Sequence, residues 1–127
     1  MKRFLLVVAL TVPLGACSVF GKPETPAQTI FTAHIGYNAA LSAVEIFADL
    51  PYCSETQPQP CRTEAASDAV LAGEQAAKAT LDAAQEVAKA ANLSDLIKQE
   101  SADRALDVVE TFRALLIELG VIKIEEG

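Results

Sequence analysis

Cys53 and Cys61 are the residues whose type and spacing point most directly to chemistry. Seven residues separate them, with the sequence SETQPQP, and this proline-containing segment belongs to no periodic pattern. A redox-active pair needs C-x-x-C spacing and a zinc site needs more thiolates or histidines, whereas this chain has one other cysteine and one histidine. An even pair that closes a short loop is typical of a structural disulfide formed in an oxidising compartment. We therefore predict a Cys53–Cys61 disulfide.

His34 and two pairs of carboxylates are the remaining candidates for catalysis or metal binding. His34 is the only histidine, so one chain cannot build a histidine-based metal cluster. It falls on an apolar helical seam, where a hydrogen-bonded core or edge histidine is usual. The pairs Asp103–Asp107 and Asp82–Glu86 are spaced i,i+4 and could share a cation, but such pairs in an acidic protein usually form a solvated helix face. We expect no enzymatic activity, metal site or cofactor, because no phosphate-binding glycine loop, EF-hand spacing or nucleophile elbow is present.

The first seventeen residues, MKRFLLVVALTVPLGAC, are organised as an export signal. Lys2 and Arg3 form a positive segment, and residues 4–14 form an apolar segment that is shorter than the roughly 20 residues of a membrane-spanning helix. The stretch Leu14-Gly15-Ala16-Cys17 then places two small residues directly before a cysteine. It resembles the lipobox of bacterial lipoproteins, and the resemblance covers residues 1–17 and no more.

The resemblance implies that the chain is cleaved before Cys17 and that this cysteine carries a diacylglycerol thioether and an acylated amine. One acyl chain gives only marginal membrane binding, with an association constant of about 10⁴ M⁻¹, whereas two or more anchor a protein stably. Ser18 stands where an aspartate often retains such lipoproteins at the inner membrane, so the resemblance favours the outer membrane, with the domain facing the periplasm. An ordinary cleaved signal peptide and, less favoured, an N-terminal transmembrane helix are the alternatives.

Length and charge indicate one acidic domain. The predicted organisation is a signal peptide at 1–16, a lipidated tether at 17–26 and a helical domain at 27–127. From residue 17 onward the chain has eight Lys and Arg and 17 Asp and Glu, a net charge of −9. Such a charge repels nucleic acid and anionic lipid surfaces, so we expect no nucleic-acid partner. Abundant alanine and few glycines favour helix.

Three amphipathic segments predict three helices, at about 26–50, 64–91 and 93–119. The expected N-caps are Thr25, Thr63, and Asn92 or Ser94. Because two short connections join three long segments, neighbouring helices should be antiparallel. The predicted fold is therefore an all-α, up-down-up three-helix bundle.

The first predicted helix has a wider apolar surface than one neighbouring helix can cover. One apolar seam follows steps of three and four residues: Ile30, His34, Tyr37, Leu41, Val44 and Ala48. A second apolar set lies beside it: Phe31, Ile35, Ile46, Phe47 and Leu50. We expect this helix to sit centrally against both others, or else part of it meets another protein. In that case the expected partner face is Phe31, Ile35 and Phe47, and the Cys53–Cys61 loop is the second candidate.

These features favour a lipid-anchored, non-catalytic interaction or structural module of the cell envelope that binds an envelope protein or a second copy of itself. Tethering would raise the local concentration of its binding face at the membrane. A small-ligand binder or carrier is the alternative, with a slot between the first and third helices lined by Phe31, Tyr37 and Phe112 and with His34 as its polar group. A phage-type lysis lipoprotein is a third hypothesis, although such proteins tend to be short and proline-rich and this chain is neither.

Overall fold

A bundle of three α-helices forms the part of the protein that this computed structural model describes, residues 25–123. α1 spans Pro26–Ala48, α2 spans Glu64–Lys89 and α3 spans Asp95–Glu118, and this part of the chain contains no β-strand. The predicted all-α, up-down-up three-helix bundle is confirmed. The predicted signal peptide, the lipobox and the lipidation at Cys17 lie outside the described residues.

Each helix begins at a side chain that satisfies a free backbone N–H group of the first turn. Thr25 accepts a hydrogen bond from the N–H of Gln28, and the Gln28 side chain accepts one from the N–H of Thr25, which completes a capping box. Thr63 caps α2 and Ser94 caps α3 through their hydroxyl groups. Because Ser94 is the cap, α3 begins at Asp95, two residues later than predicted.

The core contains few large side chains among many small ones. Its largest fully buried members are Phe112, Leu81, Leu116, Val109 and Thr29. Six alanines of the described residues are buried with them: Ala33, Ala40, Ala77, Ala84, Ala102 and Ala105. Such small residues let the helix axes approach closely, and a Cβ added at Gly73 of α2 would lie only 2.8 Å from Phe112 Cδ2 of α3. Stability therefore depends on a small number of large side chains and on close helix contact.

α3 is the helix that packs most extensively against both of the others, and α1 and α2 meet over a smaller area. The expectation that α1 sits centrally is therefore wrong. Gly36 marks the contact of α1 with α3, since a Cβ at this position would lie 3.2 Å from Val109 Cγ1. With one side of α1 on α3 and a second side partly on α2, its outer side is left uncovered.

Phe47 is a core residue, which corrects its assignment to the exposed partner face. Its side chain is 8% exposed, whereas Ala48, which the sequence pattern placed on the seam, is exposed. The inward-facing positions of α1 follow steps of four and three residues: Ala33, Tyr37, Ala40, Val44 and Phe47. Phe31 and Ile35 are exposed, as the partner-face hypothesis requires.

Candidate interaction surfaces

The two ends of the bundle are defined by the chain segments that meet there. Gln99 Nε2 of α3 donates a hydrogen bond to Thr29 Oγ1 of α1 at 3.0 Å, so the starts of these two helices lie side by side. We call this end the tether end, because the chain that follows Cys17 enters α1 there. The opposite end, which contains the Cys53–Cys61 loop, is the distal end.

The disulfide between Cys53 and Cys61 is formed, as predicted. Two backbone hydrogen bonds flank it, from the Cys53 N–H to the Arg62 carbonyl and from the Arg62 N–H to the Pro51 carbonyl, each 2.9 Å long. They join the two chain segments that meet at the base of the loop. The connection between α1 and α2 is therefore closed by covalent and hydrogen bonds at the same place.

Arg62 ties this loop to both neighbouring helices. Its Nε donates to the carbonyl of Leu50, just after α1, at 2.9 Å, and its Nη1 donates to Ser67 Oγ of α2 at 3.4 Å. The guanidinium carbon lies 4.2 Å from the centre of the Tyr52 ring, a cation–π contact. Nothing in the sequence distinguishes Arg62 as a clamp, because an arginine beside a cysteine is no recognised pattern and its partners come from three different segments.

A groove of about 420 Å³ opens between α1, α2 and the loop. Apolar side chains form most of its walls: Leu41, Val44, Phe47, Val70 and Leu71. Tyr52 and Arg62 border it on the loop side, and Glu74 lies at its other edge. Leu71 and Tyr52 are each about half exposed, so the groove presents apolar surface to solvent. We call it the distal groove.

Two side-chain hydrogen bonds cross between α1 and α2. Tyr37 Oη donates to Glu74 Oε1 at 2.5 Å, and His34 pairs with Gln85. Burial, the hydrogen bond to Glu74 and the negative charge of that carboxylate raise the pKa of Tyr37 to about 12. Tyr37 therefore keeps its proton, and its role as a donor, far above neutral pH. His34 is half-buried, the position expected of a hydrogen-bonded histidine at the edge of a helical seam.

The four side chains predicted to line a ligand slot between α1 and α3 do not come together. His34 and Tyr37 form their hydrogen bonds with α2, Phe112 is buried in the core and Phe31 is exposed. A second cavity, of about 350 Å³, lies between α2 and α3 and is lined by Phe112 but by none of the other three. A small ligand would therefore need a different site from the predicted one.

Three of the four carboxylates in the two i,i+4 pairs have partners other than a shared cation. Asp82 lies 2.6 Å from Lys78 Nζ and Glu86 lies 3.1 Å from Lys89 Nζ. Asp103 accepts a hydrogen bond from the side-chain amide four residues before it. In the part of the chain that the structure describes, no three His, Cys, Asp or Glu side chains are grouped so as to hold a metal ion.

The outer face of α1 is uncharged up to the exposed Glu45. No Asp, Glu, Lys or Arg occurs between residues 25 and 44, and Phe31 on this face is 65% exposed. Ile35 and Ile46 are exposed on the same side of the helix. The ion pairs found among the described residues all lie on α2 and α3: Lys78–Asp82, Lys89–Glu86 and Arg104–Glu100. This face of α1 and the distal groove are the two candidate interaction surfaces.

None of the described helices is both long enough and apolar enough to cross a membrane. A comparison of the chain with protein-family models, with curated proteins and with solved structures found no match. The function proposed below therefore rests on the predicted export signal, the disulfide and the two surfaces.

Proposed function

We propose that this protein is a non-catalytic interaction module of the bacterial cell envelope, anchored by lipid on Cys17 and facing the periplasm, with the outer membrane favoured. The observation that carries the proposal is the distribution of its three cysteines. Cys53 and Cys61 form a disulfide, which is typical of exported proteins. Cys17 is the one cysteine that remains, and it occupies the position that the lipobox resemblance assigns to lipid.

The distal groove supports the interaction role. Its walls are mostly apolar, and it lies at the end of the bundle opposite to the point where the tether enters. Exposed apolar surface of this kind often marks a protein-binding site. Lipid anchoring would concentrate the groove near the membrane, so that an envelope partner of moderate affinity is engaged efficiently.

Replacing Cys17 tests the anchor. We expect Cys17→Ala to move the protein from the membrane fraction to the soluble fraction, and the N-terminal peptide to lose the mass of its acyl chains. The matched control is the double variant Cys53→Ser/Cys61→Ser, which removes the other two cysteines and should stay membrane-bound. A Cys17→Ala protein that sediments with membranes as the wild type does would contradict the anchor.

Site-specific crosslinking in living cells tests the groove. A photo-crosslinking amino acid at Tyr52 borders the groove, and the same group at Ile46 is exposed but lies outside it. We expect one envelope protein to be captured from position 52 and not from position 46. Leu71→Glu, which places a charge in the groove, should abolish the product at position 52. The same products from both positions, or a product insensitive to Leu71→Glu, would argue against the groove as the partner site.

A small apolar ligand is the second candidate occupant of the distal groove. Its volume of about 420 Å³ lies in the range of small-molecule sites, roughly 300–1,000 Å³. Native mass spectrometry of the purified protein should then detect a co-purifying molecule that is lost in Leu71→Glu, because a carboxylate in the groove disfavours an apolar ligand. A wild-type spectrum without any added mass would exclude a ligand that survives purification.

A further inference from the structure

We propose that the tether end of the bundle rests on the lipid surface, with Phe31, Ile35 and Leu96 in the membrane interface. The proposal depends on the proposed lipidation of Cys17 and adds a second contact between protein and membrane. The occupant of this apolar end is the boundary between the lipid headgroups and acyl chains. That boundary takes up apolar protein surface to a depth of about 5–10 Å.

The short connection to Cys17 keeps the tether end close to the membrane. Seven residues lie between Cys17 and Thr25. Even a fully extended chain could therefore span at most about 28 Å between these two residues. α1 begins directly after Thr25, and the hydrogen bond between Gln99 and Thr29 holds the start of α3 beside the start of α1. Side chains exposed at this end are thus within reach of lipid whenever the anchor is inserted.

Large apolar side chains are exposed at this end. Leu96, in the first turn of α3, is 78% exposed, which exceeds every other exposed large apolar residue described, and Ile97 beside it is also exposed. Phe31 and Ile35 are exposed on the first three turns of α1. A single exposed apolar side chain is ordinary, but four around the point where a lipid-anchored chain enters its domain indicate a common environment.

Charge is distributed so that the half toward the tether end is less acidic than the distal half. The contact between Gly36 and Val109 marks the middle of the bundle. The half toward the tether end, residues 25–36 and 77–108, has four Lys and Arg and six Asp and Glu, a net charge of −2. The distal half, residues 37–76 and 109–123, has three Lys and Arg and eight Asp and Glu, a net charge of −5. The acidic character that repels anionic lipid is therefore concentrated away from the membrane.

A second copy of the chain, packed against the outer face of α1, is the competing occupant. From Phe31 to Ile46 this face is only about 22 Å long at 1.5 Å per residue. Asn38 and Ser42 are exposed in its middle, so its apolar surface is interrupted. A stable interface buries about 1,200–2,000 Å² in total, which an interrupted single-helix face of this length does not supply. The lipid surface needs no such continuous face and accounts for Leu96 as well.

Tryptophan fluorescence tests the proposal, because the chain has no tryptophan of its own. Phe31→Trp and Leu96→Trp probe the tether end, and Ile46→Trp and Leu71→Trp are matched controls at exposed apolar positions of the distal half. The lipidated full chain is placed in vesicles of phosphatidylcholine and phosphatidylglycerol with bromine-labelled acyl chains. We expect the labelled lipid to reduce emission roughly twofold at positions 31 and 96, as for side chains buried at the acyl boundary, and to leave both controls unchanged. Acrylamide in the water should quench the controls more strongly.

Two results would overturn the proposal. One is the absence of lipid quenching at all four positions. The other is protection from acrylamide at both Phe31→Trp and Ile46→Trp without lipid quenching, which would indicate a protein on the outer face of α1. The mass of the N-terminal peptide from the same preparation separates this proposal from the one on which it rests. An unmodified Cys17 overturns both, whereas a lipidated Cys17 with unquenched tryptophans overturns the membrane contact alone.

Discussion

The two ends of this bundle are built differently. At the distal end a disulfide, two backbone hydrogen bonds and the Arg62 clamp hold the connection between α1 and α2 in place. At the tether end the capping box of Thr25 and the hydrogen bond between Gln99 and Thr29 are the corresponding restraints. The distal end surrounds a groove with fixed walls, and the tether end exposes Phe31 and Leu96. The difference suggests that the distal end is preformed for a partner while the tether end faces an environment that needs no fixed shape.

α1 shows a contrast between exposed and buried apolar residues within a single helix, because it has one phenylalanine on its outer side and one on its inner side. Phe31 is 65% exposed and Phe47 is 8% exposed. Their separation of 16 residues places them on different sides of the helix at 3.6 residues per turn. The same residue type therefore contributes to the core in one case and to the surface in the other.

The largest expected effect is the difference in stability between variants of these two phenylalanines. Phe47→Ala should lower the free energy of unfolding by about 3–4 kcal/mol, because it removes a buried ring and leaves a cavity beside the distal groove. Phe31→Ala should change it by less than about 0.5 kcal/mol, because that side chain already meets solvent. Urea denaturation of the two variants measures the difference. Equal losses would mean that Phe31 is buried in the folded protein, against the structure described here.

Removing the disulfide should have the next largest effect. On the chain-entropy model, whose mechanism is disputed, closing a nine-residue loop contributes about 2.5 kcal/mol. Cys53→Ser/Cys61→Ser should lose about this amount and should also loosen the distal groove, so crosslinking from position 52 should fall. Urea denaturation of the wild type with and without reductant gives the matched measurement. If reduction leaves the unfolding midpoint unchanged, the loop does not depend on its disulfide.

Tyr37 links α1 to α2 at the edge of the distal groove. Its raised pKa predicts that the stability of the folded protein depends on pH. Its pKa is raised to about 12, above its ordinary value of 10.0, so the folded protein holds this proton more tightly than the unfolded chain. The resulting stabilisation is complete below pH 10 and is lost as the pH rises from about 10 to 12, by roughly 1–2 kcal/mol. Urea denaturation at pH 9 and pH 11.5 measures the loss.

Tyr37→Phe is the control for this pH dependence, since it has no phenol to titrate. The variant should be about 1 kcal/mol less stable than the wild type at pH 9, because Glu74 loses its donor. It should show a smaller further loss at pH 11.5, because every other titrating group is shared with the wild type. Parallel losses in both proteins would contradict the raised pKa.

Local signals predicted the architecture of this protein well. The caps Thr25 and Thr63 act within their own first turns, and the Cys53–Cys61 pair is close in sequence, so neither depends on how the helices pack. Long amphipathic segments with short connections were sufficient for the number of helices and their antiparallel order. These parts of the fold are encoded over distances of a few residues.

The rotation of α1 about its own axis was not predictable in the same way. Phe47 and Ala48 differ by 100° around the helix, and only contact with the other helices decides which of them faces inward. The same rotation turns Tyr37 toward Glu74 of α2, so the predicted slot between α1 and α3 does not form. Arg62 was missed because its contacts with Leu50, Tyr52 and Ser67 exist only after the loop closes.

The smallest expected effect is the loss of stability when the N-cap of α1 or of α2 is removed. These two losses compare the two capped helix starts directly. Thr25→Ala and Thr63→Ala should each cost about 1 kcal/mol of global stability, because each removes one hydroxyl acceptor. The local consequences should differ. The N–H of Thr29 bonds to the Thr25 carbonyl and the N–H of Ser67 to the Thr63 carbonyl, each at 3.0 Å, so these amides report the first turn of each helix.

Each variant should accelerate hydrogen exchange at the amide of its own helix start. The acceleration at Thr29 in Thr25→Ala should be larger than the acceleration at Ser67 in Thr63→Ala. The start of α2 remains held by the disulfide and by Arg62, whose Nη1 contacts Ser67 Oγ, whereas the start of α1 has no covalent restraint of this kind among the described residues. Reducing the disulfide in Thr63→Ala should then raise exchange at Ser67 toward the value for Thr29 in Thr25→Ala. The Ser67 amide of Thr63→Ala could already exchange as fast as the Thr29 amide of Thr25→Ala while the disulfide is intact. That result would mean that the cross-linked loop does not stabilise the start of α2. The contrast between the two ends would then have to come from helix packing alone.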